Sequence, residues 1–338
     1  MKTSTLFSVA SLALAANASP LDFQLQANGS YANAPQGERI IPPLHETPII
    51  DGATRTEILY GPYTIPGEKM IAKAGLMAQV PCSDCWVTAM RATLKYTNGS
   101  EALTSEGAWL HHTVLGNTPL GVIWAAGNER PTIRLNSQHK YGLEFTGKSM
   151  FYTVDLMSEA KAPMDVSMAI TYEWIPKDSE MGKKYKGATM KWLQIAYPMP
   201  EPGKKVYKGM IPMSAGVNGK LLYTIGHMHD GGTNLKLLIN GKTACDSVMY
   251  YDIDGKIQKA KQTGAVARRS PEPQHSHGGS FGGVHIASPG ACTDYGEIKT
   301  TDKMDVEAYY DFDQFKTMTH EGKEERLMGN CRVYIGPE

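Results

Sequence analysis

The stretch Gly226-His227-Met228-His229-Asp230 lies between two runs, residues 220–225 and 235–239, that both read as strands. Side chains on a strand repeat every second residue, so His227 and His229 project from one face. Two neutral imidazoles side by side are the common beginning of a copper or zinc site, and the alternative is a pair of surface histidines. A second candidate is Trp109-Leu110-His111-His112-Thr113-Val114-Leu115. Neighbours on a regular strand face opposite ways, so His111 and His112 share one ion only at a strand end, a twist or a bulge. Otherwise one enters the core and the other faces out. Near the C-terminus, Leu327-Met328-Gly329 offers a thioether. Soft sulfur beside imidazoles suits Cu(I), although Met328 could equally be core packing.

These residues need a scaffold of strands. Residues 86–96 before Asn98-Gly99, residues 150–157 and residues 164–174 are β-type runs bounded by turn residues. Amphipathic helical stretches with capping signals are scarce, which favours an all-β chain. The length suits two domains, and the proline-dense Tyr197-Pro198-Met199-Pro200-Glu201-Pro202-Gly203 is the natural boundary. The expected organisation is a leader over residues 1–19, an extended arm over 20–48, and domains over 49–197 and 198–338. A mobile loop over 252–283 carries Arg268-Arg269 and His275-Ser276-His277.

The basic, then apolar, N-terminus ending in Ala16-Asn17-Ala18 reads as a secretory signal peptide, and no later run has the length of a membrane span. Lys plus Arg and Asp plus Glu both number 34, which suggests neither nucleic acid nor an anionic membrane as partner. A small molecule is the expected partner, with oligomeric state open. An oxidising compartment would pair most of the 5 cysteines: Cys245 with Cys292, and Cys82 with Cys85 as a local turn disulfide in preference to a metal half-site or a redox dithiol. Cys331 is then the free thiol or an alternative partner to either pair. Asn28-Gly29-Ser30 and Asn98-Gly99-Ser100 are glycosylation sequons.

The order His-His, then His-x-His, then a late Met before a final strand resembles the copper type II, ascorbate-dependent monooxygenases of the peptidylglycine α-hydroxylating kind. The resemblance implies two antiparallel, jelly-roll-like β-sandwich domains packed side by side, one copper on each, facing a solvent cleft. By motif, His227, His229 and Met328 would match the oxygen-binding copper site, and His111 and His112 the electron-supplying one. The third histidine of that second site falls on Asp155, a hard carboxylate that suits Cu(I) poorly. His139, in the polar Asn136-Ser137-Gln138-His139-Lys140, is a substitute that reads more simply as a solvated loop residue.

A broader likeness rests on Pro81-Cys82-Ser83-Asp84-Cys85, the Trp109–Leu115 motif, Val306-Glu307-Ala308-Tyr309-Tyr310-Asp311-Phe312 and Leu327-Met328-Gly329. These resemble the stress-up-regulated Nod19-type secreted proteins, among which fungal members include hetero-Diels–Alder cyclases of tropolone sesquiterpenoid biosynthesis. The first expectation is therefore a secreted cyclase closing an apolar substrate between the sandwiches, with its catalytic residues unassigned. The second is a copper- and ascorbate-dependent monooxygenase hydroxylating a small molecule or peptide. The third is a non-catalytic secreted copper-binding protein.

Overall fold

The computed structural model describes residues 34–338 apart from 118–120, 148–149, 254–255, 263–283 and 321–322. The leader, the first part of the arm, Asn28, Arg268-Arg269 and His275-Ser276-His277 lie outside the described residues.

Cys85-Trp86-Val87-Thr88-Ala89-Met90, rich in residues that fill a pleated surface, opens the strand Cys85–Tyr96. It lies inside a six-stranded sheet, flanked by Met164–Pro176 and Tyr141–Phe145, with Thr54–Ile65 beyond the first of these. A four-stranded sheet runs Met70–Leu76, Met150–Ser158, Ala108–Asn117, Gly121–Gly127. Ile58, Leu94 and Ile170 of the larger sheet share one core with Leu110, Leu115, Trp124 and Val154 of the smaller. The second half repeats the arrangement. One sheet runs Thr189–Gln194, Gly329–Pro337, Gly219–Met228, Ala291–Thr293, and the other is built on Lys303–Tyr310, Gly232–Ile239 and Lys242–Ile253. The chain is thus all-β, in sandwich-like layers. Among the described residues helix is confined to three-residue 3-10 turns, and no helix is long and apolar enough to cross a membrane.

The strand Thr189–Gln194 precedes the proline-rich stretch but pairs antiparallel with Gly329–Pro337. By sheet membership the crossing into the second half therefore falls one strand before the 197/198 boundary. Thr47 of the arm accepts from Arg55 and Arg134 of the first half, while the start of the described arm lies along the second half, where Gly37 N donates to Ala291 O and Val248 N donates to Gly37 O. Only glycine fits there, because a Cβ at Gly37 (φ +85) would fall 1.9 Å from Asp246 O.

Gly219–Met228 explains how the halves meet. Its Leu222, Tyr223 and Ile225 belong to the first core, and its Leu221 and Met228 to the second. Burial on both faces accounts for an almost unbroken apolar run where a half-exposed strand would alternate. Tyr223 Oη also donates to Thr132 O across the junction at 2.9 Å. At this strand the halves meet through packed core, where the resemblance implied a solvent cleft.

Cys245 bonds Cys292, joining the two sheets of the second half, and Cys82 bonds Cys85. Cys331 is free and buried, which pushes its thiol up to about 12. Two disulfides are compatible with export. Asn98 is exposed in the turn after Cys85–Tyr96, where its Oδ1 accepts from Ser100 N at 3.0 Å.

Candidate metal centre

Ala108–Asn117 pairs with Met150–Ser158, and the register slips between Leu110, opposite Leu156, and His112, opposite Asp155. His111 is the extra residue of a β-bulge, the local geometry that lets adjacent side chains turn to one side. The rings of His111 and His112 have centroids 3.9 Å apart. His227 lies in the strand Gly219–Met228, and His229 just past its end, where its N–H donates to Met328 O at 3.3 Å.

Together these elements bring His111, His112 and His229 into one group whose candidate ligand nitrogens lie within 4.8 Å of one another. His227 lies outside that group and meets it at His112, their Nε2 atoms 3.0 Å apart. The cluster therefore draws on both halves of the chain, whereas the resemblance divided the same histidines between two coppers. The reason is the packing: with Gly219–Met228 laid directly on the first core, its histidines reach those of Ala108–Asn117.

Two Nδ1 atoms, those of His227 and His229, are held from outside the cluster. His227 Nδ1 is 2.6 Å from Glu129 Oε1, and His229 Nδ1 donates to Arg326 O at 2.8 Å, with Glu325 Oε2 at 3.5 Å. Asp155 stands behind His112, 3.8 Å from its Nδ1, as a neighbour to a histidine and outside the three-histidine group. An Nδ1–H held in this way leaves Nε2 to face a metal. His229 Nε2 is buried and has no hydrogen-bond partner among the described residues. Burial, with His227 and His112 nearby, depresses the His229 pKa from 6.5 to about 3. Burial also lowers that of His112, against the opposing pull of Asp155. Glu129 is enclosed, which alone would raise its pKa, but His227 and Arg332 hold it below the ordinary value. Imidazoles gathered around the buried, unpartnered Nε2 of His229 are a donor set that fits a metal ion.

Met328 lies on a cavity wall shared with His112 and His227. Its carbonyl accepts from Tyr310 Oη at 2.7 Å, and its half-buried side chain lines a cavity of about 160 Å³. His112, His227, Trp192, Tyr197 and Arg332 line the same cavity. Arg332 is 1% exposed; one terminal nitrogen donates to Ala125 O, while Nε and the other have no partner among the described residues. His139 stays in its loop outside the cluster.

Sequence reasoning missed Glu129, Glu325, Arg332 and the pair formed by His285 Nδ1 and Asp230 Oδ2, 2.6 Å apart. Asn128-Glu129-Arg130 reads as an ordinary polar turn. A signal existed for Arg332, a lone cation opening the apolar run Val333-Tyr334-Ile335, and for Asp230, which directly follows the His-x-His motif.

The fold and site define an all-β protein with a partly buried histidine cluster at the junction of its two halves. No family model matches the chain. It is 25% identical over 302 residues to "Probable copper-dependent oxygenase M1" of Phoma sp., covering 82% of this chain and 72% of that protein. It is 25% identical over 267 residues to "Probable copper-dependent oxygenase clz3" of Cochliobolus lunatus, covering 73% of this chain and 78% of that protein. Among solved structures it is similar to PNGF-II, with a TM-score of 0.41 and 9% identity, covering 85% of this chain and 65% of that one.

Proposed function

We propose that this chain is a copper-dependent oxygenase acting on a small, largely apolar molecule in the cavity beside the histidine cluster. The observation that carries the reading is the convergence of His111, His112 and His229, with His227 against them, in a chain similar to two proteins named as probable copper-dependent oxygenases. His111, His112, His229 and His227 would hold the ion, and Met328 places a soft thioether at the cavity wall. Copper, when bound, supplies one-electron redox chemistry with dioxygen, and ascorbate is the proposed electron donor. Val114, Ala125, Ala126 and Trp192 give the substrate an apolar wall, and Arg332 offers it donors from a desolvated position. Burial of His227 and His229 shields their side of the cluster from bulk water. The leader-like N-terminus and the disulfides support a secreted enzyme.

A second reading, the hetero-Diels–Alder-type cyclase, is favoured by the apolar cavity itself, where Arg332 would polarise a carbonyl while the walls hold two reacting segments together. The readings separate on metal dependence. Copper content, Cu(II) EPR and ascorbate-driven oxygen uptake are measured on the purified protein before and after chelation. The oxygenase reading requires bound copper and oxygen uptake lost on chelation and restored by copper. A protein that binds no copper but accelerates a cycloaddition in chelator would replace it with the cyclase.

A further inference from the structure

Glu129 belongs to the first half of the chain, in the turn after Gly121–Gly127, yet its carboxylate holds a histidine of the second half. That turn is pinned. Arg130 N donates to Gly127 O at 3.0 Å, and the Arg130 guanidinium donates to Ala102 O at 2.7 Å and Ala108 O at 3.0 Å. Space for the contact comes from Gly127, which pairs with His112 across the sheet. A Cβ at Gly127 would fall 2.6 Å from Glu129 Oε2 and 2.8 Å from His227 Cε1. The acid and the ring thus lie against a position that must carry no side chain.

The Glu129 side chain is 2% exposed, and its Oε2 has no hydrogen-bond partner among the described residues. A carboxylate buried this completely costs stability, and a passive filler of the space would not be charged. What the carboxylate does is accept His227 Nδ1–H, so that Nε2 is the ring nitrogen left to offer a lone pair to a metal. That atom stands 3.0 Å from His112 Nε2. Two nitrogens about 2.0–2.1 Å from a shared ion, at angles between square-planar and tetrahedral, are about 2.8–3.4 Å apart.

We propose that Glu129 is a positioning residue of the metal centre: it fixes the tautomer and ring of His227 so that His227 serves as a fourth imidazole donor beside His112. The two halves of the chain are then joined through the ion as well as through packing. This assignment rests on the copper reading above and adds the fourth ligand and the residue that presents it.

The test counts nitrogens. Cu(II)-loaded wild type is compared by pulsed EPR with Glu129→Ala, Glu129→Gln and Gly127→Ala, copper affinity is measured by competition with a chelator, and circular dichroism of the metal-free proteins reports folding. Wild type should show four imidazole nitrogens. Glu129→Ala and Gly127→Ala should show three, with affinity about 10–100-fold weaker. Glu129→Gln, whose amide oxygen still accepts from Nδ1–H, should keep four and lose less than about 10-fold. Gly127→Ala adds a methyl group and removes no charge, so it carries the test if Glu129→Ala does not fold. Copper held by three nitrogens in wild type overturns this assignment alone, as do four nitrogens and undiminished affinity in either folded disruptive variant. A wild type that takes up no copper overturns the copper reading itself.

Discussion

His112 touches both parts of the proposed centre, the group with His111 and His229 and the Nε2 contact with His227, so His112→Ala is the most informative single perturbation. In the metal-free protein the substitution removes a neutral ring and leaves His227 Nε2 without this partner, which costs about 0.5–1.5 kcal/mol. Copper should separate the two proteins much further. At free copper about 1,000 times the wild-type dissociation constant, linkage stabilises the folded state by about 4.1 kcal/mol. If losing a ligand weakens binding about 100-fold, the same copper stabilises the variant by only about 1.4 kcal/mol. For domains of this size about 1 kcal/mol corresponds to about 2–4 °C, so buffered copper should raise the wild-type melting temperature by about 8–16 °C and the variant's by about 3–6 °C. Differential scanning calorimetry with buffered copper and with chelator gives both shifts, and His139→Ala, in a loop outside the cluster, is the control. Equal copper-induced shifts in wild type and His112→Ala would refute the reasoning, because an ion bound elsewhere would not sense His112.

Acid should destabilise the metal-free protein through His229. Between the ordinary 6.5 and its folded value of about 3, the unfolded chain binds a proton that the native state does not, so stability falls as pH drops through that window. The slope per such group is about 1.4 kcal/mol per pH unit, His112 adds to it, and His285, shifted upward, opposes it. Denaturant titrations in chelator at pH 7 and pH 5.5 should show a smaller loss in His229→Gln; an unchanged loss would count against this assignment. Cys245 and Cys292 are 47 residues apart and Cys82 and Cys85 only 3, so loop entropy predicts losses of about 4 and about 1.6 kcal/mol for the respective Ser pairs. Urea midpoints in the reverse order would contradict that account. Gly37→Ala should release the arm from its place over Asp246, read as faster amide exchange at Val248 N and Ala291 N, and unchanged exchange there would show the contact to be dispensable.

The strands were readable because each carries its own pattern. Residues 150–157 and 164–174 became Met150–Ser158 and Met164–Pro176, with edges set by the turn residues that flank them. The pairing of Cys245 with Cys292 was legible because few partners exist in a chain with 5 cysteines. The position of the sheet change was less so: Thr189–Gln194 joins its sheet through a strand about 140 residues away, and nothing local in Thr189-Met190-Lys191-Trp192 announces that partner.

The histidine cluster shows why a list of candidate residues is easier to read than their arrangement. His111, His112, His227 and His229 stand out by type and spacing alone, but whether His111 and His112 face one way depends on a bulge, and a bulge is a relation between two strands. Sequence spacing separates the two pairs by more than a hundred residues and invites one ion for each. The overlooked clue is that residues 221–225, Leu-Leu-Tyr-Thr-Ile, are apolar but for Thr224 and do not alternate with charged or strongly polar residues, as suits a strand buried on both faces. Double burial requires a second layer against the outer face, and the first core is that layer. Once this packing is granted, a histidine on Gly219–Met228 has to meet either apolar side chains or other polar groups at the junction. His227 meets His112 and Glu129, and it is that pairing, more than the His-x-His spacing itself, that draws the histidines into one centre.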